Sequence, residues 1–315
     1  MKRYFGSELD SHGTIFYDPL SGLTHYSQGI FLSTGRLLIE ESEVTKCPTV
    51  HPGSLGRLAP ISICWSPIVL CNLHCPHCLD DKSLNETNGS DRAVVAELIA
   101  KSGIMGVDIS GGEPLLLEDL PSLSQELISG GLVVSITTNG WWLKKNVPRL
   151  LGAVDALRVS LDGPDEVSHD RLRGGGSFAR ALEGLRCAIE SGLPVQVQTV
   201  AMTSTVQRLQ ELLELSAVEG ASGVTILQFL PIGEGRHIAD QEVLSDERAL
   251  EIYNTLRIPP KLKVRLRLRQ DAGDFTVVRA DRSIWRNSRS ALSIQKKTSL
   301  YAVSDLNIEE RDGSA

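Results

Sequence analysis

Short apolar runs alternate with amphipathic stretches through the middle two thirds of this chain. The apolar runs predict buried strands at 61–70, 106–109, 132–138, 156–161, 194–200 and 224–230. The stretches between them carry apolar residues at helical spacing and predict helices at 91–100, 120–128, 142–151, 177–190 and 205–218. Strands that alternate with helices form βαβ crossovers and a parallel sheet. Six such units predict an α/β fold, a partial (β/α)6 barrel over residues 61–236.

Two flanking regions follow other patterns. Residues 1–60 contain short strand-like pieces at 13–22, 26–32 and 36–40, split by Gly, Pro and Ser, which predict a small β-meander. We expect this β-rich appendage to cap the open side of the barrel. Residues 237–315 form a C-terminal extension with a helix and a strand. We expect the last residues of this extension, about twenty, to be loosely ordered.

The strand predicted at 261–269 alternates basic and apolar residues without a break. Five cations lie on one face and four aliphatic side chains on the other. Edge strands commonly use Lys and Arg to prevent aggregation, which is the simpler interpretation. The alternative is that the stripe binds an acidic peptide, a phosphorylated metabolite or a phosphate backbone.

The composition is that of a globular protein with a sizeable core, since 41% of the 315 residues are hydrophobic and 23% are charged. The net charge of -7 gives no reason to expect a nucleic-acid partner. No apolar run has the length of a signal peptide or a membrane span, so we expect neither. With six cysteines and no export signal, the reducing cytoplasm is the expected location.

Three cysteines directly follow the first barrel strand, as Cys71, Cys75 and Cys78 in a C-x3-C-x2-C spacing. Three thiolates could hold a 4Fe-4S cluster and leave one iron for a substrate or cofactor. A zinc site that also uses His74 and His77 is the alternative. Zinc ligands usually come as two spaced pairs or with His at finger spacing, and no second pair exists here.

A second motif follows the second strand. Gly111 and Gly112 would let the backbone approach a ligand closely, and the carboxylate of Glu113, before Pro114, could accept from an ammonium group. Polar residues also end the third and fourth strands, namely Thr138, Asn139, Ser160 and Asp162. Ligands of parallel α/β barrels collect at the carboxyl ends of the strands. The sequence therefore predicts one site on that rim.

The two motifs, in this order, resemble the signature of the radical S-adenosylmethionine (radical SAM) superfamily. The run from Ser160 to Phe178 is similar to the branch that includes molybdenum-cofactor synthase and peptide-modifying maturases. The resemblance covers residues 61–236 and implies a radical SAM barrel. It implies one 4Fe-4S cluster, because no cysteine follows Cys187.

The resemblance also implies roles for individual residues. Cys71, Cys75 and Cys78 would ligate the cluster, and the amine and carboxylate of S-adenosylmethionine would bind the fourth iron. The motif Gly111, Gly112, Glu113 and Pro114 would hold the methionine amine. His77 stands where relatives carry an aromatic residue near the adenine, and Leu230 would pack on that ring. The ribose and methionine side would be lined by Thr138, Asn139, Ser160, Asp162 and Gln198.

The implied reaction is reductive cleavage of S-adenosylmethionine, with a reduced flavodoxin or ferredoxin as electron donor, followed by hydrogen abstraction from a substrate C–H bond. The favoured substrate is a ribosomal precursor peptide, which residues 1–60 could dock by strand addition. The alternatives are a sugar, nucleoside or other small metabolite, and a non-catalytic metal-binding module. Cys64, on the first strand, is a candidate hydrogen donor.

Overall fold

A computed structural model describes residues 1–79, 82–272, 275–287 and 293–308. Residues 1–40 form a four-stranded antiparallel sheet in the order β3-β2-β1-β4. Its strands are β1 (Lys2–Leu9), β2 (Gly13–Tyr17), β3 (Thr24–Gln28) and β4 (Gly35–Glu40), followed by helix α1 (Glu41–Thr45). The predicted meander is corrected in one respect, because β4 pairs with β1 and not with β3. The prediction missed β1, whose buried Arg3 pairs with Asp18 and breaks the apolar pattern.

Residues 62–228 form the predicted series of parallel strands, which hydrogen-bond in chain order. They are β5 (Ser62–Trp65), β6 (Gly106–Ile109), β7 (Val133–Thr138), β8 (Ala156–Ser160), β9 (Val195–Ala201) and β10 (Gly223–Gln228). The intervening helices are α2 (Gly89–Ala100), α3 (Leu120–Ser129), α4 (Leu143–Leu150), α5 (Glu166–Arg173), α6 (Ser177–Glu190) and α7 (Leu209–Val218). Of these helices, only α5 is not predicted from the sequence. Strand β5 ends five residues before its predicted limit, because the chain then turns into the cysteine segment.

The C-terminal extension adds strands to both sides of this sheet. It contains α8 (Ala239–Glu242), α9 (Asp246–Thr255), β11 (Lys263–Arg267), β12 (Thr276–Val278), β13 (Ser283–Asn287) and β14 (Ile294–Ser299). Strand β11 continues the parallel series beside β10, while β12 pairs in parallel with β5 and carries an antiparallel hairpin. Of the end expected to be loosely ordered, the residues up to 308 lie in the described part, where β14 precedes a 3₁₀ turn with buried Leu306. Residues 309–315 lie outside the described residues.

The two faces of the long sheet differ in polarity. The outer face packs against the helices, and the core there includes Ile109, Ile136, Val159, Val197, Ile226, Leu127, Leu185 and Leu213. The inner face of the partial barrel is polar and carries Cys64, Asp108, Ser135, Arg158, Gln198 and Thr225. Because only the outer face is hydrophobic, the polar side chains of the inner face are available to contact a ligand.

The N-terminal sheet closes the amino end of the barrel through residues 17–22. Arg158 donates to the carbonyl oxygen of Pro19, and Arg265 Nη1 donates to that of Ser21 at 2.8 Å. Tyr17 lies against Gly106, where any Cβ atom would overlap its ring. No helix in the described ranges is both long and apolar enough to cross a bilayer.

Candidate active site

The cysteine segment packs directly on the glycine motif that follows β6. The backbone N–H of Gly112 donates to Ile68 O at 2.8 Å, and that of Glu113 donates to Leu70 O at 2.9 Å. A Cβ atom on either Gly111 or Gly112 would overlap these carbonyl groups. Glycine is therefore required at both positions for the two motifs to meet.

Glu113 is fully buried beneath this contact. Its Oε1 accepts from Leu115 N at 3.0 Å and from Thr138 Oγ1 at 2.7 Å, and its Oε2 accepts from Asn139 N at 2.8 Å. Burial raises the pKa of Glu113 to about 6, against the opposing effect of these three donors. A carboxylate has about four acceptor positions, so one remains on Oε2 for a bound ammonium group.

Asn139 links this carboxylate to the cysteine segment. Its Nδ2 lies 3.8 Å from Cys71 Sγ and donates to Asn72 Oδ1 at 3.0 Å. The side-chain oxygen accepts from Trp141 N at 2.9 Å, which fixes the orientation of the amide. The first cysteine, the acidic motif and the end of β7 thus form one connected structure, as the sequence predicts.

The segment after β10 covers the other end of the cysteine loop. Gly235 N donates to Cys78 O at 3.3 Å. Gly233 has φ +60 and lies so close to Cys78 and Leu79 that a Cβ atom would be 2.6 to 2.7 Å from their backbone. Leu230 is half-buried in this segment. The loop therefore brings Leu230 to the same rim as the cysteines.

Asp162 is the centre of a buried polar network beside the cysteines. Its Oδ2 accepts from Arg173 Nε at 2.6 Å and pairs with His77 Nε2 at 3.1 Å. Its Oδ1 accepts from Thr199 Oγ1 at 3.3 Å and Val200 N at 3.0 Å. Burial by itself would raise the pKa of Asp162, but the charges of Arg173 and His77 hold it well below its usual range.

These four donors use the acceptor positions of Asp162, which leaves none for a nucleotide. The network instead holds the cysteine segment to the end of β8. His77 Nδ1 is buried and has no hydrogen-bond partner in the part of the chain that the structure describes. In the pair formed by Asp162 and His77, Nδ1 of His77 is therefore the atom that a bound group could contact.

The three thiols are near enough to influence one another's ionisation. Burial raises the pKa of Cys71, and the neighbouring Cys75 and Cys78 raise it further. No three His, Cys, Asp or Glu side chains within the described ranges are compact enough to hold a single metal ion. Thiolates on one zinc lie about 4 Å apart, because Zn–S bonds are about 2.3 Å. A 4Fe-4S cluster binds its thiolates through different irons, and three thiols that interact with one another are the donor set that it uses.

The remaining predicted residues line the inner face. Cys64 is buried on β5, and its Sγ lies 2.8 Å from Ser110 Oγ. Burial, and then the charge of Asp108, raise the pKa of Cys64 to about 12, so the thiol stays protonated. Ser160 is buried at the end of β8, and Gln198 is half-buried opposite it on β9.

Two site arginines were not singled out from the sequence. Arg173 ends α5, is largely buried, and its pKa is raised by Asp162 and Cys75 although burial opposes this. Arg279 follows β12, interacts electrostatically with Cys64 and Cys78, and stacks on Trp285 at 4.4 Å. The only sequence signal for Arg173 was its place before three consecutive glycines.

Comparison with known proteins agrees with this geometry. Residues 65–216 match the model of the Radical SAM superfamily, so this part of the chain is similar to a radical SAM domain. Members of this superfamily use a 4Fe-4S cluster and S-adenosylmethionine.

Among curated relatives, a probable GTP 3',8-cyclase of Methanococcus maripaludis is 34% identical over 51% of this chain and 56% of its own length. The mycofactocin maturase MftC of Mycolicibacterium smegmatis is 29% identical over 64% of this chain and 53% of its own length. The chain thus spans less than two thirds of these relatives.

Among solved structures, Streptococcus suis SuiB bound to its precursor peptide SuiA superposes with a TM-score of 0.63 at 13% identity. The match covers 95% of this chain and 86% of SuiB, and SuiB has also been solved with S-adenosylmethionine bound. At this identity the likeness concerns the fold, a partial radical SAM barrel with flanking elements.

Proposed function

We propose that this chain is a radical SAM enzyme that modifies a ribosomal precursor peptide. Cys71, Cys75 and Cys78 would hold one 4Fe-4S cluster, with a reduced flavodoxin or ferredoxin as electron donor. When bound, the cluster and S-adenosylmethionine would supply a 5′-deoxyadenosyl radical that abstracts hydrogen from a substrate C–H bond. The observation that carries the proposal is the connection from Cys71 through Asn139 to the buried carboxylate of Glu113.

The chain's own residues have distinct roles in this proposal. Glu113 binds the ammonium of S-adenosylmethionine with its remaining acceptor position, and Gly111 and Gly112 let the ligand approach the backbone. Thr138 and Asn139 hold Glu113 in place. Asp162 and Arg173 position His77 and the cysteine loop, whereas Leu230, Ser160 and Gln198 line the space around the nucleoside. Because the amino end is closed by residues 17–22, substrate enters from the rim.

The peptide assignment is supported by the extent of the structural match. The likeness to SuiB, solved with a precursor peptide, extends over 95% of this chain and thus includes the N-terminal sheet. MftC, a maturase by name, is among the relatives in sequence. Strand β4 is at an edge of its sheet, where an extended peptide could add a strand.

A small metabolite is the second candidate substrate. Several relatives are named as probable GTP cyclases, and one is 34% identical to this chain. The polar inner face, with Asp108, Arg158 and Gln198, is compatible with a compact polar molecule. Product analysis with a candidate peptide and with nucleotides distinguishes the two.

Cys64 is proposed as a hydrogen donor within this enzyme. Its thiol faces the inner side of the barrel and remains protonated at neutral pH, as a hydrogen-atom donor must. The same burial makes it a poor metal ligand, since the thiolate is the ligating form.

The proposal is tested by anaerobic reconstitution with iron and sulfide, followed by reduction with dithionite in the presence of S-adenosylmethionine. We expect about four irons per chain, on the stoichiometry of one 4Fe-4S cluster, and formation of 5′-deoxyadenosine. Cys71→Ala, Cys75→Ala and Cys78→Ala should each abolish both, whereas Cys47→Ala, at a thiol that follows α1 and packs against the N-terminal sheet, should change neither. Stoichiometric zinc without iron, or intact cluster without nucleoside formation, would favour the non-catalytic module.

A further inference from the structure

If the cations of β11 served only to prevent aggregation, all of them would face solvent. They do not. Lys263 is exposed and pairs with Glu41, the first residue of α1. Arg265 and Arg267 follow at the two-residue period and turn to the inner face of the barrel, where Arg265 reaches Ser21 O. The basic alternation in the sequence therefore places guanidinium groups inside the barrel.

Arg267 is half-buried and has no acceptor among the described residues. Its guanidinium makes no hydrogen bond or ion pair in the described part of the chain, and its Nε is shielded from solvent without a partner. Its guanidinium stacks on Phe275, with 4.6 Å from Cζ to the ring centroid. Burial, and then the charge of Arg265, lower the pKa of Arg267 to about 10, so it is still a cation at neutral pH.

The nearby carboxylates bond to other groups and not to Arg267. Asp108 accepts from Arg158, from Ser135 Oγ at 2.8 Å and from Thr137 Oγ1 at 2.8 Å. Asp271 accepts from the backbone N–H of Leu268 at 3.0 Å. Arg267 is therefore a cation of the inner face without an ion pair in the part of the chain that the structure describes. A half-buried guanidinium whose Nε is shielded from water without a partner costs stability, so its presence indicates a ligand.

Arg267 also lies at the level of the barrel where the candidate active site is. It is the last residue of β11, opposite Leu227 of β10, and so lies toward the carboxyl rim. The cysteine loop and Glu113 follow the carboxyl ends of β5 and β6 at the same rim. Arg265 lies one layer deeper, in register with Thr225 and Gln198.

We propose that Arg267, supported by Arg265, is the subsite that binds an oxyanion of the substrate. The inference rests on the proposed function, because it assumes that substrate enters the barrel. The planar fork of a guanidinium matches a carboxylate or a phosphate through two parallel N–H donors. A carboxylate, from an acidic side chain or a chain end, is the expected partner if the substrate is a peptide.

The test measures binding of small probes to the reconstituted full chain with S-adenosylmethionine by isothermal titration calorimetry. The probes are N-acetylglutamate amide, its neutral isostere N-acetylglutamine amide, and inorganic phosphate. We expect the glutamate probe to bind and the glutamine probe to bind at least tenfold more weakly. Phosphate that binds more tightly than the glutamate probe also supports the subsite and assigns it to a phosphorylated substrate. Equal binding of the two amides overturns the proposal.

Arg267→Gln should weaken binding of the anionic probe by roughly 10- to 100-fold, the range for hydrogen bonds to a charged group. Arg267→Lys, which keeps the charge but loses the fork, should give an intermediate loss. Lys263→Gln is the matched control, because that cation lies on the same strand outside the barrel. It should bind the probe as the wild type does. Unchanged binding in Arg267→Gln contradicts the proposal.

Thermal unfolding separates a binding role from a structural one. If Arg267 supports the fold, Arg267→Met lowers the melting temperature, and the subsite is wrong. If its charge is retained for a ligand, Arg267→Met leaves the melting temperature unchanged or raises it. The proposed function fails independently, when the wild type binds the anionic probe but forms no 5′-deoxyadenosine.

Discussion

Glu113 is fully buried and accepts three hydrogen bonds, and these features act on its charge in opposite directions. Burial favours the neutral acid, while the donors favour the carboxylate. The result is a pKa of about 6, not far below neutral pH. The charge of this side chain is therefore sensitive to pH before any ligand binds.

Replacing Glu113 with Gln should weaken binding of S-adenosylmethionine by roughly 10- to 100-fold, because the ammonium loses a charged acceptor. In the wild type, affinity should fall as pH drops through about 6, since protonation removes the negative charge. The variant should show no such titration. Equilibrium dialysis with the unreduced holoprotein checks both effects, with exposed Glu118→Gln as control. A pH-dependent affinity in Glu113→Gln would assign the titration to another group.

The proposed role of Cys64 as a hydrogen donor can be tested without a substrate. Its thiol is protonated and exchanges with solvent, so 5′-deoxyadenosine formed in D2O by the wild type should contain deuterium. Cys64→Ala should reduce this deuterium severalfold, because the donor on the inner face is removed. Mass spectrometry of the nucleoside measures it, and Cys187→Ala is the control. Equal labelling in Cys64→Ala and wild type excludes the thiol as donor.

Individual site residues were predictable where a motif places them at the end of a strand. Cys71, Glu113 and Asn139 meet because neighbouring parallel strands end at one rim. The role of Asp162 was not predictable, because its partner Arg173 lies on a short helix with no apolar periodicity. The alternation in β11 predicted that its cations share a face, but not that the face turns inward.

At the scale of elements, the main contacts of helix α5 are polar. Asp165 caps its start by accepting from Ser168 N at 2.9 Å, and Arg173 at its end reaches Asp162. Its polar sequence explains why helical periodicity did not reveal it. The hairpin β13–β14 was missed for a related reason, since consecutive Ile284 and Trp285 are both buried and no alternation appears.

Asp162→Asn should destabilise the protein by about 3 to 5 kcal/mol, because it leaves Arg173 and His77 in a buried site without the carboxylate. The depressed pKa of Asp162 means that its contribution is present above about pH 4 and is lost only as pH falls through the folded value. Urea unfolding should therefore show the same difference at pH 6 and pH 9. Exposed Asp240→Asn should change the unfolding free energy by less than about 0.5 kcal/mol. A difference that disappears at pH 9 contradicts this assignment.

At the scale of the whole molecule, the N-terminal sheet and the barrel share a packed boundary. Tyr17, Ile15, Met105 and Val133 form one hydrophobic cluster there. The sequence predicted both parts and their order along the chain. It could not predict the boundary, because that depends on one glycine, Gly106, which leaves room for the Tyr17 ring.

Gly106→Ala should lower the free energy of unfolding by about 1 to 3 kcal/mol, the usual cost of overpacking, because its Cβ would overlap Tyr17. Gly175→Ala is the matched control, since a Cβ there has no neighbour within 4 Å, and it should change stability by less than about 1 kcal/mol. Urea unfolding of both variants measures the effect. If the two variants are equally stable, the N-terminal sheet can move away from the barrel at Gly106 without loss of unfolding free energy.

Strand β12 joins the sheet beside β5, where Val277 pairs with Cys64. During synthesis, the segment with all three cluster cysteines leaves the ribosome long before residues 276–278 do. On the nascent chain, β5 therefore lacks this neighbour, and the side of the cysteine loop near Arg279 is open. If the loop holds a cluster as proposed, the order of translation leaves the loop open for cluster insertion before the last strand covers it.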